Sequence, residues 1–179
     1  MNVTNISQTQ VHQGYLPEES ATLPLAQQLG AALLRQGLTI TTAESCTGGG
    51  IACSITDIAG SSAWFERGFI TYSNAAKTEM LGVDAEVIAR EGAVSEAVVI
   101  AMAKGACAQN GDDLGVAVSG VAGPDGGSPA KPVGTVWLAC YLAKDDKIHT
   151  RLLQLTGDRH SVRQQTIVAA LTDCLLVLA

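Results

Sequence analysis

Four short segments of the chain combine hydroxyl, amine or guanidinium side chains with glycine in patterns that could do chemistry. The first, AESCTGG from Ala43 to Gly49, places Ser45 where a predicted strand ends and a predicted helix begins. Backbone N–H groups at such a turn favour negative charge, so Cys46 and Thr47 could supply an oxyanion hole to a nucleophilic serine. The motif by itself favours a simpler interpretation, in which Ser45 is a helix N-cap beside closely packed glycines.

Cys46 is an alternative nucleophile in this segment. A thiol needs a base such as histidine for activation, and none of the three histidines belongs to a recognisable partner motif. We therefore interpret Cys46 as a small buried hydrophobic residue. The histidines match no metal-ligand spacing and the five cysteines form no CxxC pair, so neither a metal ion nor another cofactor is expected.

The second segment, YSNAAK from Tyr72 to Lys77, follows a predicted strand. Open α/β sheets place functional loops at this position. A desolvated, neutral lysine can take a proton from a serine, and a tyrosine can relay or orient that proton. The alternative is a surface lysine beside a tyrosine of the core, and the segment alone favours that alternative.

The third segment is rich in glycine and lies between two predicted buried strands. It reads VSGVAGPDGG from Val118 to Gly127, followed by KPVGT from Lys131 to Thr135. Glycines let a backbone approach a ligand and present N–H groups to it, although the segment matches neither GxxxxGK[ST] nor GxGxxG. A surface loop is the alternative, but so long a glycine-rich loop between buried strands indicates a binding site.

The fourth segment, GDRHSVR from Gly157 to Arg163, opens the last predicted helix. Arg159 and Arg163 are four residues apart and can share a helical face, where two guanidinium groups would suit a phosphate. The alternative is a solvated helix start with Asp158 paired to Arg163. The predicted substrate contacts of the chain are Gly48, Gly120, Ala122, Gly123, Gly126, Arg159 and Arg163.

Helices that alternate with short buried strands must position these segments. Periodicity predicts strands at 38–42, 69–72, 114–119, 135–142 and 147–155, the last two forming a hairpin. It predicts a helix from about Pro24 to Gly37, one at 51–56, one ending near 81, one at 84–90, one capped by Ser95 and one from about Asp158. This order predicts an α/β fold, a three-layer α/β/α sandwich with a mixed, mostly parallel sheet. We expect residues 1–20 to form a tail and residues 21–179 to form the domain.

Composition and charge restrict the function classes. The 179 residues suffice for one domain with its own core, and 16% charged residues argue against disorder. A net charge of −6 argues against nucleic-acid binding, although a pair of arginines could still hold a small anion. No apolar run is long enough to cross a membrane, and residues 1–10 lack the features of a signal peptide. Together with the odd number of cysteines, these features predict a cytoplasmic protein with reduced thiols.

The four segments, in this order and spacing, resemble the CinA C-terminal domain family over nearly the whole chain from about Pro24 onward. The resemblance implies hydrolysis of nicotinamide mononucleotide to nicotinic acid mononucleotide and ammonia, within pyridine-nucleotide salvage. It also implies a catalytic set of Ser45, Lys77 and Tyr72, a homodimer or higher homo-oligomer, and no metal. Longer members of the family carry a second domain, which we do not expect here because the chain has no room for it.

Two rival functions stay open beside this expectation. One is a non-catalytic nucleotide-binding or regulatory module that keeps the fold, and the other is an amidase for a different small carboxamide. A pure binding module has no need of a serine, a lysine and a tyrosine in the family pattern, which favours the enzyme. In the mechanism that we predict, Lys77 takes the proton of Ser45, with Tyr72 hydrogen-bonded between or beside them.

Overall fold

The computed structural model describes residues 6–7 and 21–179. Its helices are α1 (Thr22–Gln36), α2 (Gly50–Thr56), α3 (Asn74–Leu81), α4 (Ala85–Glu91), α5 (Glu96–Asn110) and α6 (Arg159–Leu178). Its strands are β1 (Ile6–Ser7), β2 (Ile40–Glu44), β3 (Phe65–Ile70), β4 (Leu114–Gly120), β5 (Thr135–Leu142) and β6 (Lys147–Gln154). The rest of the predicted tail, residues 1–5 and 8–20, lies outside the described residues.

The six described strands form one mixed sheet in the order β1-β6-β5-β4-β2-β3. β2 pairs in parallel with both β3 and β4, and β1 pairs in parallel with β6. β5 is antiparallel to β4 and to β6, as the predicted hairpin requires. Because β5 alone among these strands runs against the others, the predicted mixed, mostly parallel sheet is confirmed.

Helices cover both faces of the sheet, which confirms the three predicted layers. One core lies under α1, α2 and α6 and includes Trp64, a fully buried side chain. The other core lies under α3, α4 and α5 and includes Met102. Gly105 of α5 permits a close approach to α3 there, because a Cβ at this position would lie only 2.0 Å from the carbonyl oxygen of Leu81.

Most helix ends follow the capping residues that are visible in the sequence. α1 ends at Gly37, whose φ of 65° is a left-handed conformation that glycine adopts without strain. Ser95 and Asp158 cap α5 and α6, because their side chains accept hydrogen bonds from the N–H groups of Val98 and Ser161. These local interactions explain why the predicted helix boundaries agree closely with the observed ones.

β3 departs from its predicted boundaries. The sequence predicts a strand at 69–72, whereas β3 runs from Phe65 to Ile70. It is an edge strand whose charged residues Glu66 and Arg67 are exposed, so its first residues show neither an apolar run nor an alternation of apolar and polar residues. Tyr72 consequently lies in the loop after the strand.

The carboxyl ends of β4, β2 and β3 meet at one edge of the sheet. α2 connects β2 to β3 across one face, whereas α3, α4 and α5 connect β3 to β4 across the other. The connections after β2 and β3 thus leave toward opposite faces of the sheet, which makes this position a topological switch point. Open α/β sheets bind ligands in the crevice at such a point. Three of the four predicted functional segments start at this edge.

Candidate active site

A cavity of about 230 Å³ opens at this edge of the sheet. Its walls come from the ends of β2 and β4, the loops after them, the loop after β3, the connection between α4 and α5, and helices α3 and α6. The lining residues are Ser45, Cys46, Tyr72, Asn74, Lys77, Ala93, Val94, Ser119, Gly120, Ala122 and Arg159. The cavity therefore brings together residues from all four segments that the sequence singled out.

Lys77 contacts Ser45 inside the cavity. Its Nζ donates hydrogen bonds to the Oγ of Ser45 at 3.3 Å and to the carbonyl oxygen of Thr71 at 2.8 Å. Lys77 is 1% exposed, and no Asp or Glu of the described residues forms an ion pair with it. Burial lowers the pKa of Lys77 below its ordinary value, and a negative charge on Cys46 would oppose this shift only where that thiol is ionised. A neutral amine in this position can accept the proton of the serine hydroxyl.

The contact rules out the simpler interpretation of the second segment, a surface lysine beside a core tyrosine. Lys77 is buried, whereas Tyr72 is 62% exposed, which is the reverse of that expectation. The lysine is buried because α3 packs on the face of the sheet that carries the second core. The tyrosine is exposed because it follows an edge strand.

The turn that carries Ser45 is fixed by Glu44, the last residue of β2. The Glu44 carboxylate is 1% exposed and accepts a hydrogen bond of 2.7 Å from the Thr47 hydroxyl. It also accepts hydrogen bonds of 2.8–3.0 Å from three backbone N–H groups at the start of α2, those of Gly49, Ile51 and Ala52. Glu44 thus links the sheet to the helix across the turn.

Ser45 does not stand at the start of a helix, which corrects the prediction. α2 begins at Gly50 with Gly49 as its N-cap, so Ser45 is not the N-cap either. Gly48 and Gly49 have φ angles of 57° and 94°, which let the chain turn between strand and helix. The favourable helix N-terminus serves Glu44 rather than Ser45, because the Glu44 carboxylate occupies those N–H groups.

Cys46 lines the cavity but is a weak candidate for the nucleophile. Burial raises the pKa of its thiol to about 11, so little thiolate exists at neutral pH.

The backbone N–H groups of Cys46 and Thr47 lie close enough to the sulfur to oppose this rise. Within the described residues, neither N–H donates to a backbone oxygen. These are the two donors that the sequence predicts for an oxyanion hole.

Tyr72 lines the same cavity as Ser45 and Lys77. Its hydroxyl accepts a hydrogen bond of 2.9 Å from Arg159. Among the described residues, no hydrogen bond joins Tyr72 to Ser45 or Lys77, so its predicted place between or beside them is not observed. The reason is that Tyr72 follows an edge strand, whereas Lys77 projects from the buried side of α3.

Arg159 joins two loops and separates two cavities. Besides its bond to Tyr72, the guanidinium donates a hydrogen bond of 2.8 Å to the carbonyl oxygen of Gly123. A second cavity of about 260 Å³ shares Arg159 and Ala122 with the first. Its other lining residues are Gly123, Pro124, Val133, Gly157, Asp158 and His160. A guanidinium between the two cavities suits a ligand with an anionic group.

Three predicted substrate contacts line neither of these two cavities. Arg163 donates a hydrogen bond of 2.7 Å to the carbonyl oxygen of Thr47 instead of pairing with Asp158. A Cβ at Gly48 would lie 3.8 Å from the same guanidinium, so Arg163 covers this glycine. Gly126 is exposed in the outer part of the glycine-rich loop.

The sequence analysis missed three residues at this site. Glu44 could have been recognised from the sequence, because it is the only charged residue in an otherwise apolar and threonine-containing strand. Ser119 could also have been recognised, since it lies at the end of β4, the parallel neighbour of β2. Its side chain is 1% exposed and donates a hydrogen bond to the carbonyl oxygen of Ala93. Thr71 contributes a backbone carbonyl, for which the residue type offers no signal.

The described part of the chain carries neither a cluster of metal-ligating side chains nor a helix suited to a membrane. Within residues 6–7 and 21–179, no three or more His, Cys, Asp or Glu side chains are grouped as they would be to hold a metal ion. In the same ranges, no helix combines the length and the apolar character needed to cross a bilayer. All five cysteines are free.

Relatives of known name match most of the chain. The nicotinamide-nucleotide amidohydrolase PncC of Escherichia coli K12 is 56% identical over 153 residues, which cover 86% of this chain and 92% of that protein. The protein of the same name from Pseudomonas putida is 57% identical over 151 residues, covering 84% of this chain and 93% of that protein. The crystal structure of the competence/damage-inducible protein CihA from Agrobacterium tumefaciens has a TM-score of 0.85 at 40% identity, covering 93% of this chain and 99% of that one.

The family assignment rests on a match along nearly the whole domain. The model of the CinA C-terminal domain matches residues 22–178. This range contains strands β2 to β6, all six helices α1 to α6, and every residue that lines the two cavities. The chain belongs to the CinA C-terminal domain family.

Proposed function

We propose that this protein hydrolyses the carboxamide of nicotinamide mononucleotide, releasing ammonia and nicotinic acid mononucleotide, with Ser45 as the nucleophile and Lys77 as its base. The observation that carries the proposal is the 3.3 Å contact between the Ser45 hydroxyl and the buried Lys77 amine, whose pKa is lowered. The names of the relatives at 56% and 57% identity support the choice of substrate.

In the first step, neutral Lys77 takes the proton of Ser45 while the Oγ attacks the carboxamide carbon. The new C–O bond turns the carbonyl oxygen into an oxyanion. The carbonyl of Thr71 accepts a hydrogen bond from the ammonium group formed on Lys77. General base catalysis of this kind contributes about 10²- to 10⁴-fold.

The oxyanion is held by the backbone N–H groups of Cys46 and Thr47, since neither is engaged by another backbone oxygen of the described residues. One such donor typically contributes about 2.7–4 kcal/mol to transition-state stabilisation. Lys77 then gives its proton to the leaving nitrogen, the C–N bond breaks and ammonia departs. Water, deprotonated by Lys77, hydrolyses the acyl ester, which restores Ser45 and releases the carboxylate.

The phosphoribosyl part of the substrate extends from the first cavity into the second. Arg159 borders both cavities and meets the 5′-phosphate there. Gly120 and Ala122 let the substrate approach the backbone of the glycine-rich loop. The Tyr72 oxygen already accepts a hydrogen bond from Arg159, so its O–H is free to donate to the substrate.

We also propose that the reaction serves pyridine-nucleotide salvage in the cytoplasm and that the protein is a homodimer or higher homo-oligomer. The five free cysteines fit a reducing compartment. Light scattering coupled to size-exclusion chromatography measures the oligomeric state, and a monomer at micromolar concentration would contradict that part of the proposal.

The experiment that tests the proposed function is ammonia release from nicotinamide mononucleotide without added metal. Wild type and a Ser45→Ala variant are measured side by side, with circular dichroism to show that both are folded. We expect release by the wild type and none above background by Ser45→Ala. Wild-type turnover in the Ser45→Ala variant would contradict the role of Ser45.

The two rival functions give different results in the same experiment. A nucleotide-binding module would show thermal stabilisation by the mononucleotide without ammonia release, because a ligand stabilises the folded state by mass action. An amidase for another carboxamide would release ammonia from free amides but not from the mononucleotide. The proposal requires both stabilisation of Ser45→Ala by the mononucleotide and turnover by the wild type.

A further inference from the structure

We infer that Glu44 and Arg163 are positioning residues: they hold Thr47, and with it the turn that carries Ser45, in the geometry that catalysis requires. The inference rests on the proposed role of Ser45 as the nucleophile. Glu44 acts from the end of β2, and Arg163 acts from the first turns of α6. Residue type alone does not predict either role, since a charged side chain near the site could equally contact the substrate.

The Glu44 carboxylate is buried, so it must be satisfied by hydrogen bonds. It accepts four, one from the hydroxyl of Thr47 and three from backbone N–H groups at the start of α2. Four donors on one carboxylate hold it tightly, because losing any of them would leave a buried polar group without a partner. The two ends of the turn, β2 and α2, are thereby tied to the same side chain.

Arg163 holds the same turn through a different atom. Its guanidinium donates to the carbonyl oxygen of Thr47 at 2.7 Å, across 116 residues of sequence. No Asp or Glu of the described residues forms an ion pair with Arg163. Thr47 is fully buried and is held by its hydroxyl and its carbonyl at once, so its backbone N–H has a fixed direction.

The fixed direction matters because few donors are left for the oxyanion. Glu44 occupies the N–H groups at the start of α2, which leaves those of Cys46 and Thr47. Catalytic groups that are misplaced by about 1 Å can lose about 10²-fold in rate. Loosening the turn should therefore slow the chemistry on Ser45 more than it weakens substrate binding.

The test compares Glu44→Gln with the wild type by two rates. The first is steady-state turnover of nicotinamide mononucleotide, which separates kcat from KM. The second is phosphonylation of Ser45 by a small alkyl fluorophosphonate, followed by intact mass. In that reaction an O–P bond forms, the P–F bond breaks, fluoride leaves and Lys77 takes the serine proton.

For Glu44→Gln we expect kcat and the phosphonylation rate to fall together by about 10²-fold, with KM within about threefold of the wild type. A glutamine presents an NH₂ group where the carboxylate accepts hydrogen bonds, so at least one N–H loses its partner. Thr47→Val removes only the hydroxyl donor and Arg163→Met only the guanidinium. Each of these two variants should lower kcat and the phosphonylation rate by about 10-fold. They replace Glu44→Gln in the test if that variant does not fold.

The matched control is Asp113→Asn. The Asp113 carboxylate accepts hydrogen bonds from the N–H and the hydroxyl of Thr39, which precedes the opposite end of β2. Its substitution weakens the same strand without touching the turn. All rates are measured at a temperature where circular dichroism shows every variant folded, and Asp113→Asn should phosphonylate within about twofold of the wild-type rate.

The outcomes separate this inference from the proposed function. Folded Glu44→Gln and Thr47→Val with wild-type phosphonylation rates would overturn the inference. A wild type that is phosphonylated at Ser45 but releases no ammonia would overturn only the proposed substrate, and the variants would still decide the positioning roles. A wild type without phosphonylation, together with an active Ser45→Ala variant, would overturn both.

Discussion

The hydroxyl of Tyr72 accepts a hydrogen bond of 2.9 Å from Arg159, which lies 87 residues later in the chain. Tyr72 follows β3 and Arg159 opens α6, so this contact ties the wall of the first cavity to the border of the second. The tyrosine oxygen is engaged away from Ser45 and Lys77. Its position therefore favours contact with the substrate over transfer of the serine proton.

For Tyr72→Phe, we expect kcat/KM for nicotinamide mononucleotide to fall by about 10-fold or more, because a hydrogen bond to substrate is lost and Arg159 loses its partner. Phosphonylation of Ser45 should stay within about threefold of the wild-type rate, because Lys77 contacts Ser45 directly. Steady-state kinetics and intact mass measure the two quantities. If Tyr72 relays the serine proton, phosphonylation will fall as far as turnover does.

For Arg159→Ala, we expect KM for the mononucleotide to rise by about 10-fold or more, because a charge-assisted contact to the phosphate is lost. The KM for nicotinamide riboside, which has no phosphate, should change far less. The measurement is ammonia release with both substrates. Lys131→Ala is a suitable control, because Lys131 bonds the backbone of Glu91 and lines neither cavity. Equal effects of Arg159→Ala on both substrates would exclude a phosphate contact.

For Lys77→Met, we expect turnover to drop by about 10²- to 10⁴-fold, the usual contribution of a general base. Methionine keeps an unbranched side chain of similar volume, so the variant should fold. Ammonia release and circular dichroism provide the two measurements. A folded Lys77→Met variant with more than a tenth of wild-type activity would assign the base to another group.

Stability should depend on pH through Lys77. Its pKa in the folded protein lies below the ordinary value of 10.5, so between the two values the unfolded chain binds more protons than the folded one. Stability from this group is therefore fully present above 10.5 and is lost as pH falls through the lowered pKa, by up to about 1.4 kcal/mol per pH unit. Denaturant unfolding of wild type and Lys77→Met over this range measures the difference. If the difference in unfolding free energy between wild type and Lys77→Met does not change with pH, Lys77 is not desolvated in the folded protein.

For Cys46→Ala, we expect kcat within about threefold of the wild type, because a thiol with a pKa of about 11 is protonated at neutral pH and supplies no nucleophile. Loss of the buried sulfur should lower the unfolding free energy by about 1 kcal/mol. Steady-state kinetics and urea denaturation measure these quantities. A loss of turnover as large as that of Ser45→Ala would reopen the thiol as the nucleophile.

Local patterns account for most of the secondary structure. Gly37, Ser95 and Asp158 mark helix ends because their effects act within one turn of the chain. The hairpin of β5 and β6 has the predicted limits to within one residue, since both strands alternate or run apolar. The predicted limits of β3 are wrong, because an edge strand with exposed charges carries no such pattern.

Residue types and spacing also determined which side chains carry the chemistry. Ser45, Lys77 and Arg159 were named from their segments, and all three line the cavity. The meeting of Ser45 and Lys77 at one edge follows from the order of the strands, because they come after β2 and β3 and the ends of parallel neighbours lie side by side. The sequence alone could not decide whether Lys77 was buried, since that depends on how α3 packs against the sheet.

Only the tertiary structure decided how the site is held together. The contact of Arg163 with Thr47 spans 116 residues, and that of Arg159 with Tyr72 spans 87. Contacts at such distances in sequence depend on how the first turns of α6 meet the loops that follow β2 and β3, which no local propensity encodes. For the same reason the sequence could not show that Arg163, predicted to bind substrate, donates a hydrogen bond to the carbonyl oxygen of Thr47, or that the buried Glu44 carboxylate accepts hydrogen bonds from the turn after β2.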